Sequence, residues 1–242
     1  MVFSTLSGYG ELKEPVSIGP CRIFYEEIDR EIIVYRRLCN GRVEAEEIVS
    51  KPLKFEIIPL YPVFTPYIIT KYVSIHLTQP LIVPSNSSIT IYLKLPVDIG
   101  VYVYDLNGRY ELIDVYPPLK VKYGVYGTVE NGVIARHYIS PIYRDLIKPG
   151  FGEAVAKVNV LNRFERWVKV SRIVLDSQLL RLHYIKGSWE AYTQEILFEI
   201  SSPTIAYISY GSSFIEKAIP INDPEGFKPP KLRGRSEMLW GL

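Results

Sequence analysis

Three Asn-Gly dipeptides, at 40–41, 107–108 and 131–132, each fall between runs in which apolar and polar side chains alternate. No other feature limits the fold of this chain as closely. A type I′ turn needs positive φ at both central positions, which asparagine and glycine tolerate. Alternation with a period of two turns one strand face inward and the other outward. The stretches EIIVYRRLCNGRVEAEEIV, IGVYVYDLNGRYELIDV and KYGVYGTVENGVIARHYIS therefore predict three β-hairpins. In the first, a two-residue turn sets Arg37 opposite Glu44 as a cross-strand ion pair.

The same alternation recurs elsewhere. Ile89, Ile91, Leu93 and Leu95 share a face of SSITIYLKLP, and Ala156, Val158 and Val160 share one of AVAKVNVLN. Leu180, Leu182 and Tyr184, then Ile196, Phe198 and Ile200, continue the pattern. In WVKVSRIVL the apolar phase moves from Val168 and Val170 to Ile173 and Leu175, a one-residue change that predicts a β-bulge. With 19 tyrosines, abundant isoleucine and little alanine, the composition favours strands over helices. The expectation is an all-β chain of roughly fourteen to sixteen strands, in sandwich-like antiparallel sheets forming two packed units with little helix. Tyr116-Pro117-Pro118 marks the boundary. It gives an N-terminal β unit over 1–117, a C-terminal sandwich-like unit over 118–220, and a Pro/Gly-rich basic tail over 221–242.

Three segments in order, GYGELKEPVSIGPCRIFYEE, SSITIYLKLPVDIGVYV and KYGVYGTVENGVIARHYISPIYR, resemble an archaeal family of uncharacterised proteins, domain of unknown function 432. The resemblance extends to about residue 210. It implies an archaeal source, and it brings no activity and no site residues with it.

Cys21 and Cys39 make no disulfide framework, and no C-x-x-C motif is present. The N-terminus lacks a basic region followed by an apolar run, so no signal peptide is expected and the cytoplasm is the default. Few Cys, Met and Gln suit a hot-living source. Between residues 57 and 93 the only charged residue is Lys71, yet five prolines there argue against a transmembrane segment. Pro59, Pro62 and Pro66 are expected to put residues 58–65 in a connection or at a sheet edge. Leu60, Tyr61, Val63 and Phe64 are too apolar for a solvated loop and are expected to be covered, either by the rest of the chain or by a second one.

Candidate chemistry is sparse. His137 shares its predicted strand face with Val133, Ala135 and Ile139, so it is expected to be buried, with a satisfied core hydrogen bond or a pocket as its setting. His76 and His183 fall on polar faces and are expected to be exposed. No metal motif, cofactor loop or G-x-S-x-G elbow appears, and neither cysteine has an activating neighbour in sequence. Tyr123, Tyr126, Arg136, Tyr138, Tyr143 and Arg144 cluster around one hairpin, and Tyr and Arg are enriched at binding hot spots. In the tail, Lys228, Lys231, Arg233 and Arg235 precede Met238, Leu239 and Trp240, a pattern suited to a partner or an anionic surface.

The leading reading is a non-catalytic binding or assembly module, with a protein partner or self-association. The alternative is a hydrolase or isomerase using His137 as its acid–base group. A third reading, a nucleic-acid binder through the basic tail and Tyr-rich strands, is disfavoured by the net charge of only +2.

Overall fold

The computed structural model describes residues 8–50, 52, 54–63, 69–127, 132–223 and the backbone of 236–239. Among the described residues there is no helix, and 62% are in strands, as the alternation requires. No helix of the described residues is long and apolar enough to cross a membrane.

Strands are numbered in chain order. Sheet A runs β1 (Gly10–Glu11), β6 (Lys54–Leu60), β9 (Asp98–Tyr104) and β10 (Tyr110–Tyr116). Sheet B is a meander of β2 (Val16–Ile18), β3 (Cys21–Glu27), β4 (Ile32–Cys39) and β5 (Arg42–Ser50). Sheet C has the order β11 (Tyr123–Tyr126), β12 (Val133–Ser140), β7 (Tyr72–Val83) and β14 (Val168–Asp176). Sheet D has a main path of β18 (Ile219–Pro220), β15 (Leu182–Tyr184), β16 (Ala191–Ile200), β13 (Glu153–Asn162) and β8 (Ser87–Pro96). There β16 also pairs with β17 (Ile205–Ser213), and β17 pairs with β19 (Ser236–Leu239). Two pairs, β12 with β7 and β13 with β16, are parallel, so sheets C and D are mixed rather than purely antiparallel.

The chain does not divide at 117. The strands β7 and β8, on the N-terminal side of the expected boundary, hydrogen-bond into sheets C and D with strands from the second half. Only Val97 separates β8 in sheet D from β9 in sheet A. One continuous core follows, joining Ile57 and Val101 of sheet A to Ile75, Leu93, Val158 and Phe198 of sheets C and D. Sheet B packs on sheet A, with the Tyr25 and Phe55 rings stacked at 4.8 Å.

The hairpins differ in their turns. Asn40 and Gly41 have φ of 52° and 78°, as a type I′ turn demands. A register shift between Arg37 and Leu38 then displaces Arg37 from Glu44. Instead Arg37 donates to Asp114 of β10 at 2.7 Å, and Tyr35 donates to the same carboxylate, tying sheet B to sheet A. At 107–108 only Gly108 has positive φ; the Asp105 carboxylate accepts the Asn107 and Arg109 N–H groups and closes a longer loop. Strands β11 and β12 pair around the third dipeptide, of which Asn131 lies outside the described residues. The bulge expected in WVKVSRIVL is present, between Val170 and Arg172.

Cys21 and Cys39 lie directly opposite one another on β3 and β4 and form a disulfide. Sequence spacing did not lead to that bond, because it is the hairpin register that brings the two residues into contact. In the proline-rich span, Pro59 lies inside β6 opposite Ile99 of β9. The pairing of β6 with β1 covers only Ile57 and Glu56, so the proline sits where β6 has a sheet neighbour on one side alone. Leu60, Tyr61 and Val63 are buried within the chain, and Phe64 lies outside the described residues. Part of the cover comes from the C-terminal segment: Tyr61 donates to Asp223 at 3.0 Å, and Tyr102 donates to the Asn222 carbonyl.

Candidate functional site

Strand parity gives sheet C two faces. Val73, Ile75, Leu77, Val168, Val170, Ile173 and Leu175 point into the core. The opposite face carries His76 on β7, His137 on β12 and Arg172 on β14, with register pairs Ile139 to His76, His137 to Ser74 and Arg172 to His76. The bulge decides the position of Arg172. Without the extra residue, the alternation set by Val168 and Val170 would turn position 172 inward.

On this face the His76 and His137 rings meet edge-on, with centroids 4.4 Å apart. The Arg172 guanidinium lies over the Tyr126 ring at 5.1 Å. Burial, then the neighbouring His137 ring and the Arg172 charge, hold the His76 imidazole below its ordinary pKa. Arg172 is half-buried, and among the described residues it has no carboxylate partner. Apolar side chains frame the group, with Ile139, Val133 and Ile82 all well exposed. Chemically this is a surface that offers one guanidinium cation and hydrogen-bond donors to an anion.

The histidines depart from the expected order. None is fully buried and none fully exposed; His76, His137 and His183 are all intermediate. Of the supposed inward set on β12, Ala135 is buried as expected, but Val133 and Ile139 are exposed and His137 is intermediate, and Arg136 of the other set takes an inward position. Arg136 is 1% exposed and donates to the wholly buried Asp98 at 2.6 Å, so sheet C is ion-paired to the first residue of β9 in sheet A. His183 lies away from this group on β15, with its Nδ1 buried and unpartnered among the described residues.

The tyrosine–arginine cluster expected from sequence is split by the sheet. Tyr126 belongs to the outward face, beside Arg172. Tyr123 pairs in register with Arg136, and Tyr138 donates to Glu153 at 2.6 Å. Burial, then the Glu153 hydrogen bond and charge, push the Tyr138 phenol up. Burial alone would raise the Glu153 carboxyl, but its bonds to Lys94 and Tyr138 outweigh that and hold it low. Tyr143 bridges to the Tyr92 backbone, and Arg144 is exposed beyond it. Sequence reasoning missed His76 as a partner of His137, and it missed Arg172. The phase change at residues 170–173 was the available signal for the latter.

Among the described residues, no group of three or more His, Cys, Asp or Glu converges as a metal site. A cleft of about 480 Å³ opens between β5 and the β9–β10 hairpin, lined by Glu47, Ile48, Tyr104, Arg109, Tyr110 and Glu111 among others. No histidine lines it.

A family model described as a protein of unknown function, DUF432, matches residues 7–236. The chain belongs to that family. The match covers strands β1 to β18 of this DUF432 chain, and with them His76, His137 and Arg172. No curated protein and no solved structure matches the chain.

Proposed function

We propose that this DUF432 chain is a non-catalytic binding module of the cytoplasm whose outward face on sheet C takes an anionic group. One observation carries the reading: Arg172, half-buried on Tyr126 beside two imidazoles, has no carboxylate partner among the described residues. A partly buried guanidinium with no carboxylate beside it presents its N–H fork to an incoming anion. The acid–base reading of His137 asks for a carboxylate or hydroxyl that orients the ring in a concave site. The groups facing His137 are a second imidazole and a guanidinium, neither of them a carboxylate or hydroxyl, and the cleft lies elsewhere. The disulfide suits the setting implied by an archaeal source, because intracellular proteins of hyperthermophiles are disulfide-rich.

The test is an NMR titration of the imidazole resonances with inorganic phosphate at fixed pH. Saturable shifts of His76 and His137 that vanish in Arg172→Gln are expected. No shift, or an undiminished shift in that variant, rejects the reading.

A further inference from the structure

A formal charge of +2 for the whole chain conceals a concentration of charge next to the site. Residues 163–172 carry Arg163, Arg166, Lys169 and Arg172 against Glu165 alone, a net +3 that leaves the remainder of the chain at −1. In a regular strand, Lys169 and Arg172 would face opposite ways. The bulge between Val170 and Arg172 turns both outward, with Lys169 in register with Ile82 and Arg172 with His76. Arg163, Arg166 and Lys169 are exposed.

Within this run, between Arg166 and Lys169, stands Trp167, 67% exposed, and Ile82, in register with Lys169, is 60% exposed. The turn that presents Trp167 is fixed by Asn162, which is wholly buried. The Asn162 amide nitrogen lies within hydrogen-bond distance of the Val83, Pro84 and Arg166 carbonyls, and its oxygen accepts the Phe164 N–H. An exposed indole on a pinned turn is a built display rather than a frayed side chain. At about 3.3 Å per residue, Trp167 lies about 16 Å along β14 from Arg172. Flat aromatic surfaces, Trp167 at one end and Tyr126 with the imidazole pair at the other, thus flank Lys169 and Arg172, while Arg163 and Arg166 lie beyond Trp167 in the turn before β14.

We propose that this face binds single-stranded nucleic acid, its phosphates on the cationic stripe and its bases against Trp167 and the Tyr126–histidine end. The proposal rests on the anion-site reading above and extends it from one anion to a polyanion. Charge complementarity alone would also fit an acidic peptide, but a peptide brings no regular series of planar rings to match aromatic groups at both ends. Single strands present unstacked bases to a sheet surface. A duplex asks for an element that enters a groove, and this face has none among the described residues.

The experiment is fluorescence anisotropy of the full chain with a labelled oligouridylate of about twelve nucleotides, alongside quenching of tryptophan emission. Trp167→Ala, Lys169→Glu and Arg163→Glu alter exposed side chains, and thermal melting verifies that each variant stays folded. Binding should weaken with salt, with a log–log slope of about −2 to −3 if three or four phosphates are neutralised. Trp167→Ala should cost at least about five-fold in affinity through lost stacking, and each charge reversal should weaken binding several-fold. Phosphate binding at Arg172 without oligonucleotide binding overturns the proposal and leaves the anion site standing. Absence of both overturns both. Oligonucleotide binding that all three variants retain places the contact elsewhere and also overturns it, as does binding of an acidic peptide or of anionic vesicles in place of the oligonucleotide.

Discussion

Arg136→Met should be among the most destabilising single changes available to this chain. The side chain is 1% exposed, and its partner Asp98 is wholly buried at a hydrogen-bond distance of 2.6 Å. Removing the guanidinium takes the ion-pair partner from a buried carboxylate in the seam between sheets C and A, a loss of about 3–5 kcal/mol. The second terminal nitrogen of Arg136 is buried without a partner, and the substitution removes that orphan donor, so the lower end of the range is expected. For a chain of this size, about 3 kcal/mol corresponds to a fall in Tm of about 6–12 °C. The diagnostic experiment adds Asp98→Leu. Replacing both charges with apolar groups removes that buried carboxylate, so the double variant should recover most of the stability lost by the single one. Equilibrium denaturation in urea measures both. A single variant that loses less than about 1 kcal/mol, or a double variant no more stable than the single, refutes the assignment of this pair as the buried clamp between the sheets.

Three further outcomes are expected. Val63→Asp places a charge at a position 2% exposed, so it should lower Tm without changing mass in solution; a shift from a larger species to folded monomer would mean that a second chain covers this stretch. Reducing the Cys21–Cys39 bond, which spans a sequence separation of 18, should lower stability by about 3 kcal/mol while the β-type circular dichroism persists; unchanged stability would remove the disulfide from any structural role. His76 is held below its ordinary pKa by burial, His137 and Arg172, and His183 chiefly by burial, so the folded state resists protons that the unfolded chain accepts near pH 6.5. Their contribution is therefore complete above that pH and is lost as pH falls through the lowered folded values, with Tm dropping on acidification and dropping less in His76→Gln and His183→Gln; equal slopes for parent and variants would contradict this.

The sequence by itself determined the strands. Alternation in SSITIYLKLP, AVAKVNVLN and EILFEI predicts inward positions that are buried, from Ile91 and Val158 to Phe198, with Ile89 near the start of β8 the exposed exception, because a period of two is a property of the backbone and needs no knowledge of neighbours. The bulge near residue 171 was legible for the same reason: an extra residue shifts the apolar phase locally. Only tertiary structure decided which strands meet. The parallel pairing of β7 with β12 brings His76 to His137 across 61 residues, and no local pattern encodes a partner at that distance. It also decided the sense of β12. Parity divides its side chains into two sets, but which set is inward depends on what waits on each side, and wholly buried Asp98 waits for Arg136. An ion pair between two sheets thus overruled the apolar count over the second half of β12, leaving Ala135 buried but Ile139 exposed and His137 on the face where the candidate site lies.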